Sequence, residues 1–154
     1  LFATLLKQEP NAVLLLVGGG NDLPKIQARA QALGIAGRVR FLGVRSDVAD
    51  LMQAMDVFVF PSLYEGLGIV LIEAQAAGLP CVVSETIPPE AYLTDLVFPE
   101  CLSSSADTWA DKILALRATP RTDRRPEIAA HGFDIVSEAE KLQEFYLAAY
   151  EKSR

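Results

Sequence analysis

Cysteine, histidine and tryptophan are scarce in this chain: two, one and one among 154 residues. Cys81 and Cys101 form no CxxC pair and stand at no metal-ligand spacing, so neither a disulfide framework nor a zinc site is expected. Both read as buried thiols of a reducing compartment. Basic charge is also short, with 14 Lys and Arg against 20 Asp and Glu, a formal net charge of −6. This balance excludes general electrostatic attraction to nucleic acid or acidic membranes. It does not exclude a local anion site, because backbone amides bind anions without net charge. No apolar run reaches the length of a membrane span and no signal peptide is visible, so a cytoplasmic protein is expected. There is no internal repeat, low-complexity run or evident domain boundary. An initiator methionine is missing too: Leu1-Phe2-Ala3-Thr4-Leu5-Leu6-Lys7 reads as the tail of an amphipathic helix, which points to a fragment or an excised domain.

What is present is apolar. Hydrophobic residues make up 51% of the chain, enough for one globular domain with a real core over residues 1–154. Val13 to Val17 is a continuous apolar run before Gly18-Gly19-Gly20 and predicts a buried strand. Ile26, Ala30 and Leu33 recur at helical spacing, with Pro24 near the start and Gly34 near the end. Val39 to Leu42 predicts a short strand ended by Gly43. Val48, Leu51, Met52 and Met55 form a helical stripe capped by Ser46 or Asp47. Asp56 to Phe60 and Pro80 to Ser84 predict two further strands, flanking a helix from Ile69 to Ala77 closed by Gly78. Leu96-Val97-Phe98 reads as a last short strand. Trp109, Ile113 and Leu116 define a helix and place Trp109 in the core. Ser137 and Glu140 match a capping box for a final helix whose apolar face is Leu142, Phe145, Tyr146 and Ala149. The basic residues of Thr119 to Arg125 read as solvated, and His131 as a helix-end residue. Alternating strands and helices, with strands apolar on both faces, predict an α/β domain with one parallel sheet covered on both sides. Such sheets bind ligands at the carboxyl ends of their strands.

The junction Pro61-Ser62-Leu63-Tyr64-Glu65-Gly66-Leu67-Gly68, running into Ile69 to Ala74, carries the chemistry. The first amides of a helix lack intrahelical acceptors and sit at the positive end of its dipole. Gly66 and Gly68 let a ligand approach that backbone closely, as phosphate sites require. Spacing alone leaves an ordinary tight turn on equal terms. A carboxylate beside a phosphate is repelled by it, so Glu65 and Glu73 should face hydroxyl-rich parts of a ligand. A diphosphate carrying a sugar at each end fits that layout. Tyr64 either stacks on a ligand or packs the loop.

Pro61-Ser62-x-x-Glu65-Gly66-x-Gly68-x-x-x-x-Glu73-Ala74, with Ala77-Gly78-x-Pro80 and Val82-Val83-Ser84 behind it, resembles the Glu-x7-Glu signature of the group-1 retaining glycosyltransferases of GT-B architecture. It is similar in particular to members that build exopolysaccharide or capsule. Leu14 to Val17 with Gly18-x-Gly20, Arg38-Val39-x-Phe41-Leu42-Gly43, Asp56-Val57 and Phe60-Pro61-Ser62 extend the likeness over most of the chain in order. The resemblance implies a Rossmann-like three-layer α/β/α domain, the C-terminal, donor-binding half of such an enzyme. It implies transfer of a hexosyl group from a UDP- or GDP-sugar to a glycan or lipid-linked acceptor, with no metal and no cofactor besides the donor. Glu65 would hold the donor sugar as the catalytic residue of this half. Gly66, Leu67, Gly68 and Ile69 would contact sugar and diphosphate, and Glu73 would take the ribose hydroxyls. Gly18 and Gly20 would form the glycine loop, and Leu42, Gly43, Val44 and Arg45 would lie against the nucleobase.

The departures also carry expectations. Ile87-Pro88-Pro89-Glu90 stands where the family places a Gly-Gly pair before a later Glu, and the prolines stiffen that loop. The family's diphosphate-neutralising Arg and Lys loop, the first strand of this half and the acceptor-binding N-terminal domain would all precede Leu1. This chain alone should therefore bind nucleotide weakly and transfer nothing, and any membrane association would come through those segments. In such relatives the last helix can cross onto the N-terminal domain, which would leave its apolar face exposed here and prone to self-association. Among rivals, a dehydrogenase needs a third glycine where Leu23 stands. A retaining glycosidase needs carboxyl groups about 5 Å apart across one glycosidic bond, not around a phosphate cradle. A nucleotide-sugar epimerase and a non-catalytic binding module remain as alternatives.

Overall fold

A computed structural model describes residues 1–153. In chain order the elements are α1 (Phe2–Gln8), β1 (Leu14–Val17), α2 (Leu23–Ala32), β2 (Val39–Gly43), α3 (Val48–Gln53), β3 (Phe58–Phe60), α4 (Ile69–Ala76), β4 (Cys81–Ser84), β5 (Val97–Glu100), α5 (Ala106–Leu116), α6 (Arg125–Ala130) and α7 (Ile135–Lys152). Short 3-10 turns occupy Ala36–Arg38 and Pro89–Ala91.

Every strand pairing is parallel, as continuous apolar runs require. The strands form two sheets rather than the single one expected: β1 pairs with β2, and β4 lies between β3 and β5. β1 and β3 thus each keep one edge unpaired, and although wholly apolar both are only half-buried. β4, paired on both sides, is completely buried. The three layers follow from its period of two. Cys81 and Val83 face a cluster with Met52 of α3 and Leu71, Ile72 and Ala74 of α4. Val82 faces the other way, onto Leu5 of α1 and Trp109, Ala110 and Ile113 of α5. Fully burying each such aliphatic side chain is worth roughly 1.5–3 kcal/mol. Trp109 lies in this core and donates its indole N–H to the Cys101 carbonyl at 3.1 Å.

Four local expectations need correction. Ser137 does not cap the final helix, which begins at Ile135. The cap is Asp134, whose carboxylate accepts from the Ser137 amide at 2.8 Å. Asp134 is extended in backbone, as a cap must be, while Ser137 is already inside the first turn. Asp47 sits at the start of α3 but makes no side-chain cap, because its carboxylate is taken by Arg45. Cys81 is buried, and burial pushes its thiol pKa up, but Cys101 is exposed and contacts the Ser103 hydroxyl.

The fourth correction concerns the segment after α5. Arg121 is not solvated: its guanidinium donates to the carbonyls of Met52, Met55 and Ala77, at the C-terminal ends of α3 and α4. Arg124, only 22% exposed, pairs with Asp95 and Glu127. Arg125 alone is open to water, pairing with Asp123. Gly78 explains why this segment must lie flat against α4. Its φ is +70°, and a Cβ there would stand 2.5 Å from the Thr122 carbonyl oxygen.

His131 is the C-cap residue of α6, as expected. α7 has no buried residue; Phe145 and Tyr146 of its apolar face are about two-thirds exposed (66% and 64%) and meet edge to face. Among the described residues no helix is long and apolar enough to cross a membrane.

Candidate functional site

The predicted site residues all lie at or beyond the carboxyl ends of parallel strands, in two groups. The first is built by β1 and β2. Gly18, at φ +126°, donates its amide to the Gly43 carbonyl at 2.7 Å, which ties the two loops together. Gly19 lies close enough to Val44 that a Cβ would meet its Cγ2 at 3.3 Å. The register slips at this end: Leu16 pairs with Phe41 but Val17 with Gly43, so Leu42 is the extra residue of a bulge. Gly43 at φ +66° then turns the chain and leaves Val44 85% exposed. Gly18 and Gly20 also line an open cleft with Leu16, Asp22, Ile26 and Phe41. Arg45 is held by Asp47 in a two-pronged ion pair of 2.7 and 2.5 Å. That bond raises the Arg45 pKa and lowers that of Asp47.

The second group follows β3. Glu65 is half-buried, and its Oε1 accepts from the Ser62 hydroxyl at 2.8 Å. Gly68 caps α4 with left-handed φ/ψ of 78° and 54°. A Cβ there would lie 3.5 Å from the Phe60 ring and 4.0 Å from Glu65 Cγ, so the turn folds Glu65 back beside the helix start. With glycine as cap, no side chain covers the leading amides. Leu67 packs into the core cluster below, while Gly66 and Ile69 are exposed. Glu73, the fifth residue of α4, is exposed. Tyr64 and Leu63, 85% and 80% exposed, do not pack the loop. Among the described residues, no hydrogen bond links this group to the first.

Sequence reasoning missed three hydroxyls here. Ser84, fully buried at the end of β4, donates to the Ser62 carbonyl, and Thr86 donates to the same oxygen. The third is the Ser62 hydroxyl, and the signal was polar residues closing apolar strands, Ser62 and Ser84 both inside the quoted motif. It also missed Gln75. Its buried amide donates to the Leu71 and Ala91 carbonyls and accepts from the amides of Leu93 and Thr94, binding the proline-stiffened loop to α4.

A parallel α/β unit with glycine loops and a carboxylate-flanked helix start at its strand ends belongs to the class that binds ligands at the carboxyl ends of its strands. The comparisons make this specific. The profile of the glycosyl transferases group 1 matches residues 1–131. The chain belongs to that family. It is 36% identical over 143 residues to the putative glycosyltransferase EpsF of Bacillus subtilis, covering 90% of this chain. Identity is 28% over 148 residues, again 90% of this chain, to the Escherichia coli UDP-Gal:alpha-D-GlcNAc-diphosphoundecaprenol alpha-1,3-galactosyltransferase. The chain spans 37% of the length of each of these two relatives. Among solved structures, HepE of Anabaena in complex with UDP-glucose superposes with a TM-score of 0.72 at 25% identity, over 95% of this chain and 44% of that one. The fold is thus that of one half of a GT-B glycosyltransferase.

Proposed function

We propose that this chain is the donor-binding half of a retaining hexosyltransferase that uses a nucleotide diphosphate sugar in polysaccharide or lipid-linked glycan synthesis. One observation carries the reading. The glycine-capped start of α4, where the Leu71 amide donates to the Gly68 carbonyl and the Ile69 and Val70 amides have no partner among the described residues, is bracketed by Glu65 before the turn and Glu73 in the helix. The amides suit the diphosphate, Glu65 the hydroxyls of the transferred sugar, and Glu73 the ribose diol. Val44 and Gly43 would flank the base, with Arg45 held by Asp47 as a wall rather than a free cation. The names of the relatives support this: one takes UDP-Gal and a diphosphoundecaprenol acceptor, and the HepE structure holds UDP-glucose.

The unpaired edges of β1 and β3 support the companion reading, that an upstream strand and an acceptor domain complete the enzyme. Two half-buried apolar strands with open edges suit a further parallel strand. Transfer without a metal is part of the same reading, and EDTA should leave it unchanged.

The test is calorimetric titration with UDP, GDP and ADP, on this chain and on a version extended upstream. Saturable binding of one nucleotide, weakened about tenfold in Glu73→Ala by loss of charge-assisted bonds to the ribose, is expected. An extended protein that binds none of the three refutes the reading.

A further inference from the structure

The backbone three residues before Glu65 is bonded from the end of another strand and the turn after it. Ser84 Oγ lies 2.5 Å from the Ser62 carbonyl oxygen and Thr86 Oγ1 lies 2.7 Å from it. The two hydroxyls are 2.9 Å apart. Ser62 Oγ in turn lies 2.8 Å from Glu65 Oε1 and 3.1 Å from the Tyr64 carbonyl. The protons can be counted, since each hydroxyl has one to donate. The two lone pairs of the Ser62 carbonyl take those of Ser84 and Thr86. The Ser62 proton is left for its two neighbours, and the carboxylate is the stronger acceptor. This uses Oε1 and leaves Glu65 Oε2 without a protein partner among the described residues.

Residues 61–67 lie outside any helix or strand. Their backbone has no ladder to hold it, and the clamp on the Ser62 carbonyl comes from residues 22 and 24 positions away. Ser84 is itself completely buried, at the end of a strand paired on both sides.

We propose that Ser84 and Thr86 are positioning residues that act through Ser62 to aim the Glu65 carboxylate at the donor sugar. This rests on the donor-site reading above. Its consequence is selective: the hydroxyl relay should govern affinity for the sugar and not for the nucleotide.

The experiment uses the full-length enzyme and calorimetry with three probe pairs: UDP and UDP-glucose, GDP and GDP-mannose, ADP and ADP-glucose. The pair bound best by the unmutated protein is carried forward. Ser62→Ala should weaken the nucleotide sugar about tenfold, as loss of one charge-assisted bond does, and shift the free nucleotide by less than about twofold. Thr86→Val, nearly isosteric, should act in the same direction at about threefold, because one of two bonds to the Ser62 carbonyl survives. Thr86→Ser should restore the parent value. In a Glu65→Ala background, Ser62→Ala should add nothing.

Equal weakening of nucleotide and nucleotide sugar by Ser62→Ala would refute the proposal, since the hydroxyl would then only brace the loop. So would an unchanged nucleotide-sugar affinity in Ser62→Ala when Glu65→Ala loses it, and in that case the donor-site reading stands. Nucleotide sugar bound equally well without the Glu65 carboxylate would remove Glu65 from the sugar, and the relay with it. Failure of every probe pair would overturn the donor site itself.

Discussion

Arg121→Met is the perturbation that tests most directly how this fold is held. The guanidinium lies across the ends of two helices. Nη2 donates to the Met52 carbonyl at 2.8 Å and, more closely still, to that of Met55. Nη1 reaches Gln53 Oε1 and the Ala77 carbonyl at 3.3 and 3.4 Å. The Met52 carbonyl, in the last turn of α3, also accepts from the Ala54 and Met55 amides, while the Met55 and Ala77 carbonyls lie just past the ends of α3 and α4, where a cation also meets the negative end of each dipole. Two close charge-assisted bonds are worth roughly 1.5–3 kcal/mol each, and the freed carbonyls recover part of that from water, which leaves about 3 kcal/mol. Methionine keeps the apolar stem, so packing alone should not change. Urea unfolding followed by the fluorescence of buried Trp109 measures the loss. Arg121→Lys should recover less than half, because one ammonium cannot span four acceptors in a planar fork. A loss below about 1 kcal/mol for Arg121→Met would refute the anchoring argument and return this arginine to the solvated surface.

Two further outcomes follow from the same geometry. Gly78→Ala should cost about 3 kcal/mol or more by urea unfolding, since it combines positive φ with a clash against the Thr122 backbone. A loss under about 1 kcal/mol would mean that the segment after α5 shifts freely. Glu100, bonded to Lys112, Ser104 and the Cys101 amide, has its pKa lowered from 4.5 to about 2. A depressed carboxylate stabilises the fold above its unfolded pKa and loses that contribution as pH falls through the folded one. Acid unfolding of Glu100→Gln should therefore show a shallower loss of stability between pH about 4.5 and about 2 than the parent; identical slopes would exclude this carboxylate.

Much of this could be read without coordinates. The apolar runs at residues 13–17, 56–60 and 80–84 predicted strands because burial on both faces leaves no alternation. Gly34, Gly43, Gly68 and Gly78 all take the positive φ that ends or caps an element. The spacing of Glu65, Gly66, Gly68 and Glu73 marked a strand-to-helix junction, while its reading as a binding site came from the family resemblance. Each of these signals is local: it depends on the residue and its near neighbours.

What escaped was long-range or depended on competition between neighbours. Ser137 matched a capping pattern, but Asp134 reached its amide first and the helix began earlier. Arg121 looked like a loop cation because its acceptors lie 44 to 69 residues away. The division into two sheets turns on which strand edges meet, and apolar composition is blind to edges. The same holds at Glu65: a sequence can supply the carboxylate, yet only the packing of β4 beside β3 brings Ser84 and Thr86 to the Ser62 carbonyl. Sequence alone determined the elements and the motif, because turn and period are written in adjacent residues. Tertiary structure alone decided which carbonyl each distant hydroxyl and guanidinium would satisfy, because a hydrogen bond needs about 3 Å and the right angle, and only the folded chain provides them.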